Sequence, residues 1–332
     1  GNGGLAGAAG QGGTAGSAGH GYRYTGSSGL AGSSGLAGTA GAGGVGLVST
    51  GNSTIHNAGT IAGGFANGGA GVRANAIELS GGGNTLVLEA NSVILGNVVS
   101  HSGSADTLAF GGDINAVSNR FDLGQLGTVG SAAQYQGFDS FEKDGTSAWT
   151  LTGTDTVSRI WAVKAGTLVL DDSAQLAGAL GIQNSGTLNT GTASIAGGVI
   201  NAGNLSIGTV ATPYATLSIG GDYTQGSHGA LNINAFSTSQ YSKLAITGNA
   251  FLAGALNVDV KSGNTLGIGN QLQNVLTTTG HINGTFDSVS DNSLLFNFTP
   301  TYTTNSVSLN VVADGTGGGN SGGGGNTVLG SV

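Results

Sequence analysis

The chain has 332 residues, of which 68 are glycine and only 7% are charged, with a formal net charge of −8. Its eight Lys and Arg form no cluster, which excludes the phosphate-neutralising footprint of a nucleic-acid binder and the polybasic patch of a membrane-surface protein. It has no Cys, which excludes disulfides, thiolate chemistry and Cys-based zinc sites.

An average soluble domain is about 25% charged. Low charge argues against the common kind of disorder, and 38% hydrophobic residues allow a core spread thinly along the chain. Cysteine avoidance suits a chain that crosses a narrow pore unfolded. Methionine is also absent, so the segment is expected to be processed or excised from a longer protein. No apolar run approaches the roughly 18 residues of a membrane helix.

Residues 1–46 carry glycine at every third position. The series runs from Gly1 to Gly19, breaks at Tyr22-Arg23-Tyr24-Thr25, and resumes from Gly26 to Gly44. This period is not a strand signature. An isolated chain of this kind is disordered unless its glycine edges let extended three-residue-per-turn helices, of the polyglycine-II type, approach and exchange backbone hydrogen bonds. Each block would then form a rod of about 65 Å, with Tyr22–Thr25 as the reversal. His20, Tyr22, Arg23 and Tyr24 form a candidate contact cluster, the alternative being a plain turn between two blocks.

From residue 47 the pattern becomes short runs of period two, which predicts strands. Leu86 and Leu88, Leu231 and Ile233, Leu256 and Val258, and Val307, Leu309 and Val311 alternate with their neighbours. Turn pairs such as Asp144-Gly145, Gly248-Asn249, Gly263-Asn264 and Asn283-Gly284 separate the runs. The runs also resemble one another: GTL recurs at Gly166 and Gly186, a spacing that suits one coil of three short strands with turns. Imperfect repeats of this length point to an all-β solenoid, in which stacked Asn or Thr share hydrogen bonds and stacked charges would repel. One or two β-sandwiches are the all-β alternative. Alternation is most regular at 211–313, where Tyr223, Phe236, Phe251, Phe286, Phe296 and Phe298 are expected to add burial. Phe138, Phe141, Trp149 and Trp161 read as core, and residues 314–332 as a Gly-rich linker.

The stretch LSIGGDYTQGSHGALNIN…KLAITGNAFLAGALNVDV, residues 217–260, resembles the C-terminal part of pertactin-like autotransporter passenger domains (type V secretion). So does HINGTFDSV at 281–289, and GNTLVLEANSVILGNVV (83–99) and FDSFEKDGTSAWTLTG (138–153) resemble recurrent coils of that family. Lys243 departs from the pattern, at a position where an acidic residue is expected. The resemblance implies a right-handed parallel β-helix over 47–313 with coils at 47–210 and a C-terminal folding (autochaperone-like) module at 211–313. It also implies export to the cell surface through an outer-membrane β-barrel lying downstream of 314–332. It does not fix the activity.

Motifs with chemical potential are weak. Gly41, Gly43 and Gly46 spell GxGxxG without a βαβ frame, and Gly319, Ser321 and Gly323 spell GxSxG inside the linker. Asp171-Asp172 and Gly19-His20-Gly21 invite comparison with β-helix galacturonan hydrolases, but in reversed order, and adjacent residues on a strand face opposite ways. Ser102–Asp113, with Asp106 and Asp113, resembles one imperfect calcium-binding nonapeptide. The five histidines are scattered. The expectation is therefore a non-enzyme without cofactor or metal. It acts in adhesion or cell–cell association, with a host or bacterial surface glycan or protein, or a second copy, as partner and no nucleic acid. The alternatives are a β-helix glycan-degrading enzyme and a structural stalk presenting an upstream domain.

Overall fold

A computed structural model describes residues 1–11, 33–102 and 105–314. The protein is all-β, 47% strand and 2% helix, built from long sheets of parallel strands. The GTL copies explain the arrangement. Gly166, Thr167 and Leu168 sit beside Gly186, Thr187 and Leu188 in a parallel ladder, so each sequence repeat lies on the previous one. The next rungs continue the column: Leu188 beside Leu205, Leu205 beside Leu231, Leu231 beside Leu256 and Leu256 beside Val289. A second column runs Trp161, Leu180, Val199, Tyr223, Ala250, Ile282. A third, in a separate sheet, runs Leu217, Leu244, Leu276. Pairing passes residues 210 and 211 without a break, since Asn204–Ile207 lies against Ala230–Ala235. This geometry is compatible with a β-solenoid.

Period two decides what faces inward. Leu86, Leu88, Leu168, Leu170, Leu231, Ile233, Leu256 and Val258 are all buried, as their alternation predicts. Each contributes about 1.5–3 kcal/mol through burial. Aromatic rings pack together inside the rungs between residues 107 and 161. Trp161 stacks on Phe141 at 4.6 Å and Phe110 lies edge-on to Phe121 at 4.9 Å. Two of the aromatics expected to be buried are not. Phe251 is 40% exposed because it holds the outward position between buried Ala250 and Leu252, and Phe236 is half-buried beyond the end of its strand.

Polar groups inside are tied to backbone. Tyr223 Oη donates to Gln225 Oε1 at 2.6 Å, and Gln225 Nε2 donates to the carbonyls of Gly229, Ala253 and Ala255. Lys143, fully buried, donates to the carbonyls of Asp144, Gly145 and Ala165 at 2.5, 3.0 and 3.2 Å. Burial still drives its pKa down to about 8. Asp155 and Arg159 form an ion pair with side chains 1% and 3% exposed.

The pairing changes at both ends of the stack. At the C-terminal end, Phe296–Tyr302 and Ser306–Ala313 form an antiparallel hairpin, and Ser306–Ala313 lies antiparallel to Gln271–Thr278. The parallel rungs therefore stop before residue 313, and Phe296–Tyr302 becomes the last strand of that sheet. At the N-terminal end two glycine segments run antiparallel without forming strands. Gly35, Gly38, Gly41 and Gly44 N–H groups donate to the carbonyls of Gly10, Gly7, Gly4 and Gly1 at 2.8–3.0 Å. The approach requires glycine: a Cβ on Gly41 would lie 2.6 Å from the Gly4 nitrogen.

Candidate functional site

The surface is assembled from the outward residues of each rung, so its chemistry repeats along the stack. Ser290 Oγ donates to Asn257 Oδ1 at 2.7 Å, Asn257 Nδ2 to Asn232 Oδ1 at 2.8 Å, and Asn232 Nδ2 to Ser206 Oγ at 3.2 Å. Four rungs thus carry one directional ladder of neutral polar groups, the arrangement that stacking favours over like charges. Charge survives where an opposite partner is at hand: Lys164 meets Glu142 at 2.7 Å across neighbouring strands. On another flank, Ser194, Ser218, Ala245 and Thr277 line a shallow groove of about 410 Å³ with Thr247 and Thr279. Thr279 Oγ1 donates to the Thr247 carbonyl, so part of this hydroxyl row is already engaged.

The weak motifs separate in space. His20, Tyr22, Arg23 and Tyr24, with Gly19-His20-Gly21, lie outside the described residues, as do Gly319, Ser321 and Gly323. Gly41, Gly43 and Gly46 serve backbone contact. A Cβ on Gly43 would strike the Gly64 carbonyl at 2.1 Å, and one on Gly46 the Ala62 carbonyl at 2.5 Å. Asp171 accepts from Ser173 N and Oγ at 2.9 and 2.6 Å and pairs with Arg120 at 3.3 Å. Asp172 turns elsewhere and accepts from Thr212 Oγ1 at 2.7 Å and Thr192 N at 2.9 Å. These bonds, led by the Thr212 hydroxyl, hold its carboxyl below the ordinary range. The two aspartates thus close a turn after the strand Ile160–Leu170 and do not flank one space.

Asp106 and Asp113 also part company. Asp106 is buried and accepts from Asn84 N and Nδ2 at 2.9 and 2.8 Å and from Ser100 Oγ at 2.8 Å. Asp113 is exposed and caps Thr146, whose backbone N–H and hydroxyl lower its pKa. Among the described residues no group of three His, Asp or Glu side chains is placed to hold a metal ion. His56 contacts Glu89 at 2.7 Å and His228 contacts Ser227 at 3.5 Å, so these histidines answer to separate partners. No family model matches the sequence, and no curated protein matches it.

Proposed function

We propose that the chain is a surface-displayed passenger segment of the autotransporter type, wound as a right-handed parallel β-helix. It acts in adhesion or cell–cell association through a rigid, repetitive surface. The observation that carries this reading is the outer ladder from Ser290 to Ser206, in which neutral side chains repeat from rung to rung. A surface of this kind offers weak contacts at a fixed spacing, and many weak contacts add through multivalency. The export half of the proposal rests on the resemblance at residues 217–260 and 281–289, and it implies a membrane barrel further along the parent protein. Residues 211–313 are the folding module in this reading.

Within the glycine repeat of residues 1–46, the described segments 1–11 and 33–46 are read as polyglycine-II-like rods laid antiparallel. The four lateral bonds between Gly1–Gly10 and Gly35–Gly44 support this, since they recur every third residue. Further backbone bonds dock the rods on the first rung: Gly3 N–H donates to the Phe65 carbonyl at 2.6 Å, and Gly64 N–H to the Gly44 carbonyl at 2.8 Å. The rods' Leu5 and Leu36 stay 76% and 97% exposed, available to a partner.

The test uses fluorescent beads coated with the purified chain. The proposal expects such beads to cluster, or to bind bacterial or epithelial cells, above albumin-coated controls. Beads that do neither would contradict it. Surface display is tested separately by proteinase K treatment of intact producing cells, which must remove the chain.

A further inference from the structure

The sheet is broken between two successive rungs. Among the described residues, Val93–Leu95 pairs with Thr60–Ala62 alone, and Arg120–Asp122 pairs with Ala148–Thr152 alone. The same two rungs remain joined elsewhere, Thr85–Leu88 lying in register beside Thr107–Phe110. The break is therefore a wedge opened in an otherwise continuous stack. In a parallel ladder alternate residues turn their backbone groups to opposite neighbours. The Val93 N–H and the Leu95 carbonyl are bonded to Gly59 and Gly63, so Ile94 faces the wedge. Gln134 reaches in and donates from Nε2 to the Ile94 and Gly96 carbonyls at 2.8 and 3.2 Å.

The remaining space is a cleft of about 270 Å³. It is lined by Leu88, Phe121 and Trp149, all buried, together with Glu89, Arg120, Gln125, Ser118 and Tyr135. Tyr135 is 6% exposed, yet among the described residues its hydroxyl has no hydrogen-bond partner, and it is not fully enclosed. It therefore opens onto the cleft that its ring lines. Burial pushes its pKa up to about 12, which keeps it a donor at neutral pH. Glu89 uses Oε1 on His56 and Arg120 uses Nη2 on Asp171, and each keeps further polar atoms unengaged.

We propose that this cleft binds one pyranose unit of a glycan. Four observations select that chemistry. The walls mix donors and acceptors, which suits hydroxyls that do both. One carboxylate and one guanidinium balance, which disfavours a simple anion or cation. The volume, just below the range of drug-sized pockets, suits a single small ring. An added peptide strand is disfavoured because Gln134 already occupies the carbonyls it would need. The inference stands on the wedge alone and is independent of export.

The experiment titrates the full chain with the methyl glycosides of glucose, galactose, mannose and N-acetylglucosamine. It is read by tryptophan fluorescence, since Trp149 lines the cleft, and by protein-observed NMR. At least one glycoside is expected to saturate. Tyr135→Phe should weaken it about fivefold to tenfold, the worth of one hydrogen bond, with an unchanged melting temperature. Ser118→Trp should abolish the response by filling the cleft. No saturable response from any of the four, or a response undiminished in both variants, overturns the proposal.

Discussion

Arg159→Met tests the interior electrostatics most sharply. The substitution keeps much of the side chain's length and removes its charge, leaving Asp155 buried without its cation. Removing one member of a buried pair costs about 3–5 kcal/mol. The lost bond from Arg159 Nε to the Phe138 carbonyl, 3.1 Å in the wild type, adds roughly 1 kcal/mol. The total is comparable with the whole stability of an ordinary domain, so the rungs around residues 138–161 should open first. Trp161 stacks on Phe141 beside the pair and reports the event by fluorescence during urea unfolding. pH supplies a second signature. Burial raises the pKa of Asp155, opposed by the Val157 N–H and Arg159. Without Arg159 that pKa rises further, and a raised carboxyl favours the fold at low pH and loses that contribution as pH rises through the folded value. The deficit of Arg159→Met should therefore be larger at pH 7 than at pH 4. The double variant with Asp155→Asn should recover most of it. A loss below about 1 kcal/mol, or a double variant no better than the single, would refute the reasoning.

Three further outcomes are expected. Lys143 has a folded pKa of about 8 against an ordinary 10.5, so between those values the unfolded chain holds a proton that the folded one lacks. Stability should rise as pH rises from 8 to 10 in urea titrations, and Lys143→Met should lack the rise while losing about 1–3 kcal/mol through its orphaned carbonyls. Gly41→Val should separate the two glycine segments without unfolding the rungs, seen as loss of amide protection at Gly35, Gly38 and Gly44 with an unchanged urea midpoint for the remainder. Hydrogen exchange should be slower across residues 211–313 than across 47–130; the reverse ranking would count against a C-terminal folding module.

Much of the architecture was legible because period two and repetition are geometric signals. The GTL copies stack in register, and the alternating leucines are buried. Strand direction was not legible: residues 296–302 and 306–313 alternate as the parallel rungs do, and alternation is the same whichever way a neighbour runs. Phe251 shows the limit of composition, since an aromatic at an outward position stays outward. Lys143 and Arg159 gave no signal, because a charged residue inside a coil becomes tolerable only through carbonyls and a carboxylate supplied by the fold. The cleft at Tyr135 was invisible for a different reason. It is defined by pairing that fails to form between Val93–Leu95 and Arg120–Asp122, and its lining comes from four separated stretches.

Adhesion of the proposed kind requires one continuous, rigid face, and a single distance tests for it. Ala162 and Asn283 are far apart in sequence but stand on the same outward column, through Gly181, Ile200, Thr224 and Phe251. Five steps of about 4.8 Å place their backbones about 24 Å apart. The chain has no cysteine, so spin labels introduced by Ala162→Cys and Asn283→Cys are unique. Double electron–electron resonance should give one narrow distance peak in the range of about 20–30 Å, allowing for the label arms around the spacing expected from stacked strands. A broad distribution, or a peak well beyond that range, would contradict the stacked column and the repetitive surface built on it.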